Sequence, residues 1–232
     1  MITDLHSHTL YSDCGRDDPE ELILCMIQKG VQLLGITDHN YGIGDREEEY
    51  RHKIRSLAEK YRAQIKVLCG IELCTIPGLS PKKGKTFAEY DYCLMENLQD
   101  DTCEMKGDIL TYTSGYKCRV GIAHTDLFGF MSAHGLNHDE YLKKLADRGI
   151  FWELNVNYDS IHRYNEHEYV KTFFNSEEQI SKVKKAGLYL SVGFDGHRLE
   201  DYDVNRVKRA NDFLREKGIL NEADLFFGKD KD

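Results

Sequence analysis

The sequence predicts an α/β fold in which seven parallel strands form a closed barrel with helices between them. Three observations support this prediction. Seven short apolar runs have the length and composition of buried strands, helix start and stop signals lie between them, and histidines or carboxylates follow several of the runs. Alternating strands and helices imply a parallel sheet, and seven such units favour a closed barrel over an open, doubly wound sheet.

The predicted strands are rich in apolar and β-branched residues. They cover 2–8, 32–37, 65–73, 90–95, 119–123, 150–155 and 189–193. The chain has only three prolines, and no low-complexity or Ser/Gly-rich linker offers a point of division. Residues 1–232 are therefore predicted to form a single domain.

The helices between the strands are predicted from their capping residues. Asp18 supplies an N-cap, Pro19 suits the first helical position, and Gly30 ends this helix. A capping box beginning at Ser176 starts another helix, which ends at Gly187. Further helices are predicted over 46–61, 139–148 and 203–217, and loops or irregular helix over 77–86 and 100–117.

The composition limits the possible partners. The chain has 31 Lys and Arg residues against 40 Asp and Glu residues, a formal charge of −9. Proteins that bind nucleic acid through its phosphates usually carry a basic excess, so nucleic acid is not expected as a partner. The seven cysteines include no Cys-x-x-Cys pair and predict no disulfide framework. Without a signal peptide or a bilayer-length apolar run, we expect a cytoplasmic protein with no membrane partner.

Histidines and acidic residues mark the ends of several predicted strands. His6 and His8 are two residues apart, so both imidazoles point to one face of the first strand. In a barrel of parallel strands all carboxyl ends open on the same rim, where such side chains converge. Later strands end in Asp38 and His39, in Glu72, in His124, and in Asp195 and His197. A shared metal site explains this placement better than structural histidines would.

The donor types indicate which metals would bind and what they would do. Imidazole and carboxylate without thiolate suit zinc, manganese or ferrous iron. Two or three such ions, with Glu72 as a bridge, would polarise a phosphoryl oxygen and activate water. Amide or ring hydrolysis uses the same groups and stays open at this point. The sequence contains no Gly-x-Ser-x-Gly elbow, so catalysis by a nucleophilic side chain is less favoured than metal-activated water.

Six short motifs resemble those of a known family, in the family's order. They are Asp4-Leu-His6-Ser-His8-Thr9, Tyr11-Ser12-Asp13, Thr37-Asp38-His39, Gly70-Ile-Glu72, Ala123-His124 and Asp195-Gly-His197. This set resembles the PHP family, named for polymerase and histidinol phosphatase domains, over nearly the whole chain. The resemblance implies a distorted, TIM-like barrel of seven strands with up to three metal ions at the carboxyl ends of the strands.

The resemblance also implies a role for each matching residue. One metal would be held by His6, His8, Glu72 and Asp195, a second by Glu72 and His124, and a third by Asp13, His39 and His197. Asp4 and Asp38 would either orient imidazoles or cap turns.

Within the family, the stretch from Phe194 to Asp201 is most similar to stand-alone histidinol-phosphatase-type phosphoesterases. Arg198 and Arg163 would then clamp the substrate phosphate, because a guanidinium can hold two phosphate oxygens at once. Arg163 is equally well explained as a surface ion-pair partner, and Arg16 is a weaker third candidate.

One position departs from the family pattern. The fourth strand of the family supplies a second histidine to the bridged metal, and Leu98 stands at that position here. Glu96 has the same strand parity and would substitute if the strand extended that far, although a solvated loop glutamate is the simpler interpretation. The departure bears directly on the second metal site.

Three functions therefore remain open from the sequence. The first is a metal-dependent phosphatase acting on a small phosphate monoester, with Asp195 or His197 handling protons and Arg198 binding phosphate. The second is a phosphodiesterase or nucleotide hydrolase of the same family, favoured if the loop 77–85 forms a basic lip. The third is a non-catalytic metal-binding relative, supported by Leu98.

Overall fold

The computed structural model describes residues 1–228, and its backbone forms a seven-stranded parallel barrel. Neighbouring strands pair in sequence order. They are β1 (Thr3–Asp4), β2 (Leu33–Ile36), β3 (Lys66–Cys74), β4 (Tyr92–Glu96), β5 (Arg119–Ile122), β6 (Ile150–Asn155) and β7 (Leu190–Gly193). The seam between the first and last strands is joined by backbone hydrogen bonds from Leu5 N to Val192 O and from Asp195 N to His6 O, both 2.8 Å. The predicted fold class is confirmed.

Helices connect the strands and cover the outside of the barrel. They are α1 (Pro19–Gln28), α2 (Asn40–Ile43), α3 (Glu47–Tyr61), α4 (Ile109–Tyr112), α5 (Leu127–Ala133), α6 (His138–Asp147), α7 (Glu168–Asn175), α8 (Glu177–Ala186), α9 (Val204–Lys217) and α10 (Glu222–Phe227). None of the helices between residues 1 and 228 has both the length and the apolar character needed to span a membrane.

The predicted helix boundaries match the observed caps. Asp18 and Glu21 form a complete capping box at the start of α1, with Pro19 in its first turn. Ser176 accepts a hydrogen bond from Gln179 N at the start of α8, and Gly187 ends that helix in the left-handed conformation. The helices α2, α5, α7 and α10 are not among those predicted. No side-chain cap bond precedes α2 or α7, whereas Asp126 and Asn221 cap α5 and α10, both of which are short.

The first strand is shorter than predicted. Only Thr3–Asp4 forms a regular ladder, because the Asp4 carboxylate accepts hydrogen bonds from His6 N and Phe194 N, each 3.0 Å. The chain nevertheless continues in an extended path, and Ser7 bridges in parallel to Gly196. His6 and His8 are thereby held at the rim of the barrel.

Two layers of apolar side chains hold the barrel together. The larger layer fills the space between the strands and the helices. The smaller layer fills the inside of the barrel, where Tyr92 donates a hydrogen bond to Leu5 O and a Cβ on Gly35 would lie only 1.8 Å from the Tyr92 hydroxyl. α10 closes the amino-terminal end, with Phe226 packed in this layer. The carboxyl ends of the strands are left to polar groups.

Candidate metal centre

Seven of the side chains predicted as metal ligands lie together at the carboxyl ends of the strands. They are His6 and His8 after β1, His39 after β2, Glu72 in β3, His124 after β5, and Asp195 and His197 after β7. All except His124 are buried. Glu72 lies at the centre of the group, and its backbone bridges in parallel to that of His39.

The first group of donors, which we call subsite 1, consists of His6, His8, Glu72 and Asp195. Nε2 of His6 and Nε2 of His8 are 3.1 Å apart, and Oδ1 of Asp195 lies 3.4 Å from the first and 3.0 Å from the second. The two oxygens of Glu72 lie 3.3 Å from the same two nitrogens. Two ring nitrogens that face each other between carboxylates form the donor set of a divalent cation.

Glu153 fixes the orientation of His6. Its Oε1 lies 2.7 Å from Nδ1 of His6, and its Oε2 accepts a hydrogen bond of 2.8 Å from the backbone N–H of His124. When Nδ1 donates to a carboxylate, Nε2 keeps its lone pair for a metal. No role is predicted for Glu153 from the sequence, although it lies near the end of a strand and points into the barrel.

The second group, subsite 2, consists of Glu72 and His124, whose Nε2 lies 3.0 Å from Glu72 Oε1. β4 extends as far as Glu96, which is buried with its Oε1 3.3 Å from Nδ1 of His39. The interpretation of Glu96 as a solvated loop residue is therefore wrong. Asn97 then turns the chain with φ 62°, and Leu98 packs in the apolar layer outside the barrel.

The third group, subsite 3, differs from the one predicted. His39 and His197 are present, but Asp13 is exposed, and the neighbouring Cys14 takes its place. One donor atom from each of Cys14, His8, His39 and His197 lies within 4.8 Å of the others. Burial alone would raise the pKa of the Cys14 thiol, but hydrogen bonding with His197 and His39 lowers it to about 6. This grouping places a thiol beside the imidazoles, where the sequence predicted imidazole and carboxylate donors alone.

Asp159 and His162, in the loop after β6, also reach the centre and were not predicted. Asp159 is buried, with Oδ2 3.5 Å from Nδ1 of His197 and Oδ1 2.8 Å from Nδ1 of His162. Nε2 of His162 faces Oδ2 of Asp195 at 3.8 Å. The other residues of the centre are predictable because they lie at the ends of strands. Asp159 and His162 lie within a loop, where no such pattern marks them.

The candidate phosphate-binding arginines lie in different surroundings. Arg198 follows His197 directly, and its Nε is buried without a hydrogen-bond partner. Its NH1 lies 3.9 Å from Glu200 Oε1. Arg163 is exposed and adopts φ 55°, so the structure does not bring it into the cluster. Arg16 is also exposed, and its backbone N–H donates to His197 O.

Asp4 and Asp38 hold loops rather than imidazoles. Asp4 accepts hydrogen bonds from two backbone N–H groups and from the Tyr202 hydroxyl, and burial raises its pKa to about 6. Asp38 accepts from Thr9 N and from the hydroxyls of Thr9 and Ser12, each 2.7 Å. The turn-capping interpretation of both residues is supported. Imidazole orientation instead depends on Glu153 and Asp159.

Opposite charges determine the ionisation of the centre. Burial alone would lower the pKa of His6, but the negative charges of Asp195, Glu153 and Glu72 raise it well above its ordinary value. Burial also opposes protonation of His124, yet the hydrogen bond and charge of Glu72 raise its pKa to about 9. Conversely, burial would raise the pKa of Glu72 and Asp195, but the neighbouring imidazoles, His6 foremost, hold both well below the usual range.

Two of the candidate ligands have strained backbones. His124 has φ 23° and Asp195 has φ 56°, conformations that cost side-chain-bearing residues energy. The N–H of His124 is held by Glu153, and that of Asp195 by His6 O. Buried hydrogen bonds therefore keep both side chains turned towards the centre.

The donors of the centre fit divalent cations better than they fit one another. Nδ1 of His39 approaches Oε2 of Glu72 to 2.9 Å, yet neither atom has an aligned hydrogen bond. Oε1 of Glu96 and Nδ1 of His197 are likewise buried without a hydrogen-bond partner. Buried polar atoms are normally paired, so these orphaned donors point to ions as their partners.

Comparison with known sequences identifies related chains. The family model described as PHP domain matches residues 4–197. A chain from Thermoanaerobacter sp. (strain X514) named as a probable phosphatase is 23% identical over 235 residues, covering 97% of this chain and 90% of the relative. A probable phosphatase from Thermoanaerobacter pseudethanolicus (strain ATCC 33223 / 39E) matches with the same identity and coverage.

Comparison with solved structures identifies the same barrel. The crystal structure of histidinol phosphate phosphatase from Lactococcus lactis subsp. lactis Il1403, complexed with zinc, L-histidinol and phosphate, superposes with a TM-score of 0.65. The match covers 95% of each chain at 15% sequence identity. The similarity shows a common fold.

Proposed function

Because this chain belongs to the PHP domain family, we propose that it is a metal-dependent phosphatase that hydrolyses a small phosphate monoester, as histidinol phosphatases do. The observation that carries the proposal is the convergence of His6, His8, Glu72 and Asp195 at the rim of the barrel. The Nε2 atoms of the two histidines lie 3.1 Å apart and 3.0–3.4 Å from the carboxylate oxygens. The relatives named as probable phosphatases and the zinc, L-histidinol and phosphate bound to the Lactococcus protein support it.

Two or three divalent ions, zinc, manganese or iron, would be held by this centre. Such ions polarise phosphoryl oxygens and lower the pKa of water, which is the chemistry that ester hydrolysis requires. The ligands would be His6, His8, Glu72 and Asp195 in subsite 1, Glu72 and His124 in subsite 2, and His39 and His197 in subsite 3.

The residues around the metals supply binding and proton transfer. Oδ1 of Asp195 faces His8, so we assign proton acceptance to Oδ2, which takes a 3.3 Å hydrogen bond from Asn155 and faces His162. His197 is the alternative proton carrier. Arg198, with its unpaired buried Nε, would clamp the phosphate. The exposed Arg163 would contribute less.

A groove between α7 and α9 lies next to the centre, although none of the candidate metal ligands lines it. Its volume is about 600 Å³, within the range of small-molecule sites. Asn157 lines it and donates a hydrogen bond to Asp195 O, and His167 lines it with its ring 6.1 Å from that of His124 and nearly parallel to it. In the loop 77–85, Lys85 is paired with Glu47, which weakens the case for a basic lip and a diester substrate.

Phosphate release tests the proposal. We would measure it with a panel of monoesters, histidinol phosphate among them, and with diesters, after loading the protein with manganese or zinc. Turnover on a monoester that Asp195→Asn abolishes, and that the exposed-site control Asp101→Asn retains, is the expected result. Preference for diesters would favour the second function, and a folded, metal-loaded protein without turnover would favour the non-catalytic one.

A further inference from the structure

We propose that subsite 3 is a thiolate-containing metal site, in which Cys14 Sγ binds a cation together with His39 and His197 and selects zinc over manganese. The inference rests on the proposed function for the presence of metal ions in the centre. It goes beyond that function by assigning a cysteine ligand to a position where the sequence pattern suggested Asp13.

The loop after β1 is folded so that Cys14, and not Asp13, faces the centre. A Cβ on Gly15 would lie 2.1 Å from Thr9 O, so only glycine permits the loop to fold back this closely. Arg16 N–H then donates to His197 O at 3.1 Å, which fixes the far end of the loop against the strand-end segment that carries His197. Asp13 is left exposed.

The Cys14 thiol lies among three imidazoles, two of which take no part in subsite 1. The ring of His8 is stacked between those of His39 and His197, with centroids 4.5 and 4.6 Å away. Nε2 of His8 already faces Asp195 in subsite 1. Cys14, His39 and His197 therefore remain as three ligands, the number that open catalytic sites use.

A second observation, independent of the thiol, also indicates a bound ion. His39 and His197 are 9% and 4% exposed. Nδ1 of His39 faces Oε2 of Glu72 at 2.9 Å and Nδ1 of His197 faces Oδ2 of Asp159 at 3.5 Å, yet none of these four atoms makes an aligned hydrogen bond. Buried polar atoms are normally hydrogen-bonded, so these four unpaired atoms indicate a bound ion. Among the cysteines of residues 1–228, Cys14 alone belongs to such a group of histidines.

The sulfur has a consequence for metal choice. Thiolate is a soft ligand that favours zinc, whereas carboxylate and water suit manganese and magnesium. Cys14→Asp would replace the sulfur with a carboxylate oxygen, the donor that the sequence pattern suggested at Asp13. We therefore expect Cys14→Asp to weaken zinc binding and to narrow the difference between the affinities of this subsite for zinc and for manganese.

Cobalt(II) reports the sulfur ligand directly, because a cobalt–thiolate bond gives a charge-transfer absorption in the near ultraviolet. We would titrate the full chain with cobalt and count the ions bound per chain. The wild type is expected to show the band, and Cys14→Ser and Cys14→Asp to lose it while remaining folded by circular dichroism. Zinc affinity at this subsite should fall at least about 10-fold in Cys14→Ser, because even a second-layer partner of a ligand is worth 10–100-fold.

Two control variants separate the subsite from its surroundings. Asp13→Asn removes the exposed neighbouring carboxylate, and Cys25→Ala removes a half-buried thiol elsewhere. Both should keep the band. Its persistence in Cys14→Ser, its loss in Asp13→Asn, or its absence from cobalt-treated wild type would each overturn the proposal. Phosphate release from the same samples is scored separately, so a band without turnover refutes the phosphatase and not the site.

Discussion

Nδ1 of His6 lies 2.7 Å from Oε1 of Glu153, and both side chains are almost completely buried. The carboxylate orients the imidazole, so Nε2 is left to face His8 and Asp195. The ligand geometry of subsite 1 thus depends on a residue of β6 that is itself not one of the proposed ligands.

Glu153→Gln should lower metal affinity about 10–100-fold, as loss of a partner behind a metal-bound histidine usually does. Glutamine keeps the shape but not the charge that fixes the His6 tautomer. A competition titration against a chromophoric chelator measures the effect. Glu168→Gln, at an exposed glutamate, is the matched control and should bind metal like the wild type. Equal affinities in the two variants would mean that Glu153 does not act through His6.

Gly193→Ala should disturb the same contact from the neighbouring strand. The added Cβ would lie 1.9 Å from Oε1 of Glu153 and 2.6 Å from Cβ of His6. Overpacking of this kind costs about 1–3 kcal/mol, and we expect weaker metal binding as well. Gly115→Ala places its methyl group in open space and should be neutral. Denaturant unfolding of both variants tests this, and an unchanged midpoint for Gly193→Ala would contradict it.

The barrel can be predicted from the sequence because each strand and its end are marked by a local pattern of residues. Seven apolar runs and their order determine which residues meet at the rim, so His6, Glu72 and His124 could be grouped without coordinates. Loop residues do not follow this logic. Because the backbone of Gly15 lies so close to Thr9, Cys14 faces the centre instead of the predicted Asp13.

The loop after β6 shows the same limit. The resemblance implies a phosphate-binding role for Arg163 in this loop, but His162, one residue earlier, faces the centre at 33% side-chain exposure. Positive φ at Arg163 and Tyr164 sets the direction of the loop, and no periodic pattern in the sequence reveals such a turn. Glu96 points towards the centre and Leu98 packs outside the barrel, because Asn97 turns the chain between them.

Leu98→His should not restore a metal ligand. Leu98 is 3% exposed and packs outside the barrel, while Glu96 takes the inward position at the end of β4. A buried imidazole without partners should lower the free energy of unfolding by about 1–3 kcal/mol. Elemental analysis should find the same number of metal ions per chain as in the wild type. An additional ion in the variant would show that the loop can turn inwards.

Arg198→Ala should reduce phosphatase kcat/KM far more than Arg163→Ala does. Arg198 follows His197 directly and its Nε is buried and unpaired, whereas Arg163 is exposed. Arg198→Lys should restore little, because an ammonium cannot hold two phosphate oxygens in the planar geometry of a guanidinium. Inorganic phosphate inhibition provides a separate binding measurement. Equal losses in the two alanine variants would favour a joint clamp.

Metal binding should release protons at neutral pH. The pKa values of His124 and His197 are raised from the ordinary 6.5 to about 9 and about 10, because the pull of Glu72 on the first and of Asp159 on the second outweighs burial. At pH 7 both rings carry a proton that a bound metal must displace. Calorimetric titrations in buffers of different ionisation enthalpy count these protons, and a count of zero would contradict the proposed ligands.

The stability of the chelator-treated protein should therefore change with pH in the opposite direction to its metal affinity. A histidine whose pKa is higher in the folded state than in the unfolded state stabilises the fold fully below pH 6.5. That stabilisation is lost as pH rises through about 9 for His124 and about 10 for His197. Chelator-treated protein should then melt at a lower temperature at pH 10 than at pH 6.5, while metal affinity rises over the same interval as the protons leave. Melting curves with and without zinc measure both slopes, and parallel curves would show that these imidazoles do not exchange protons for metal.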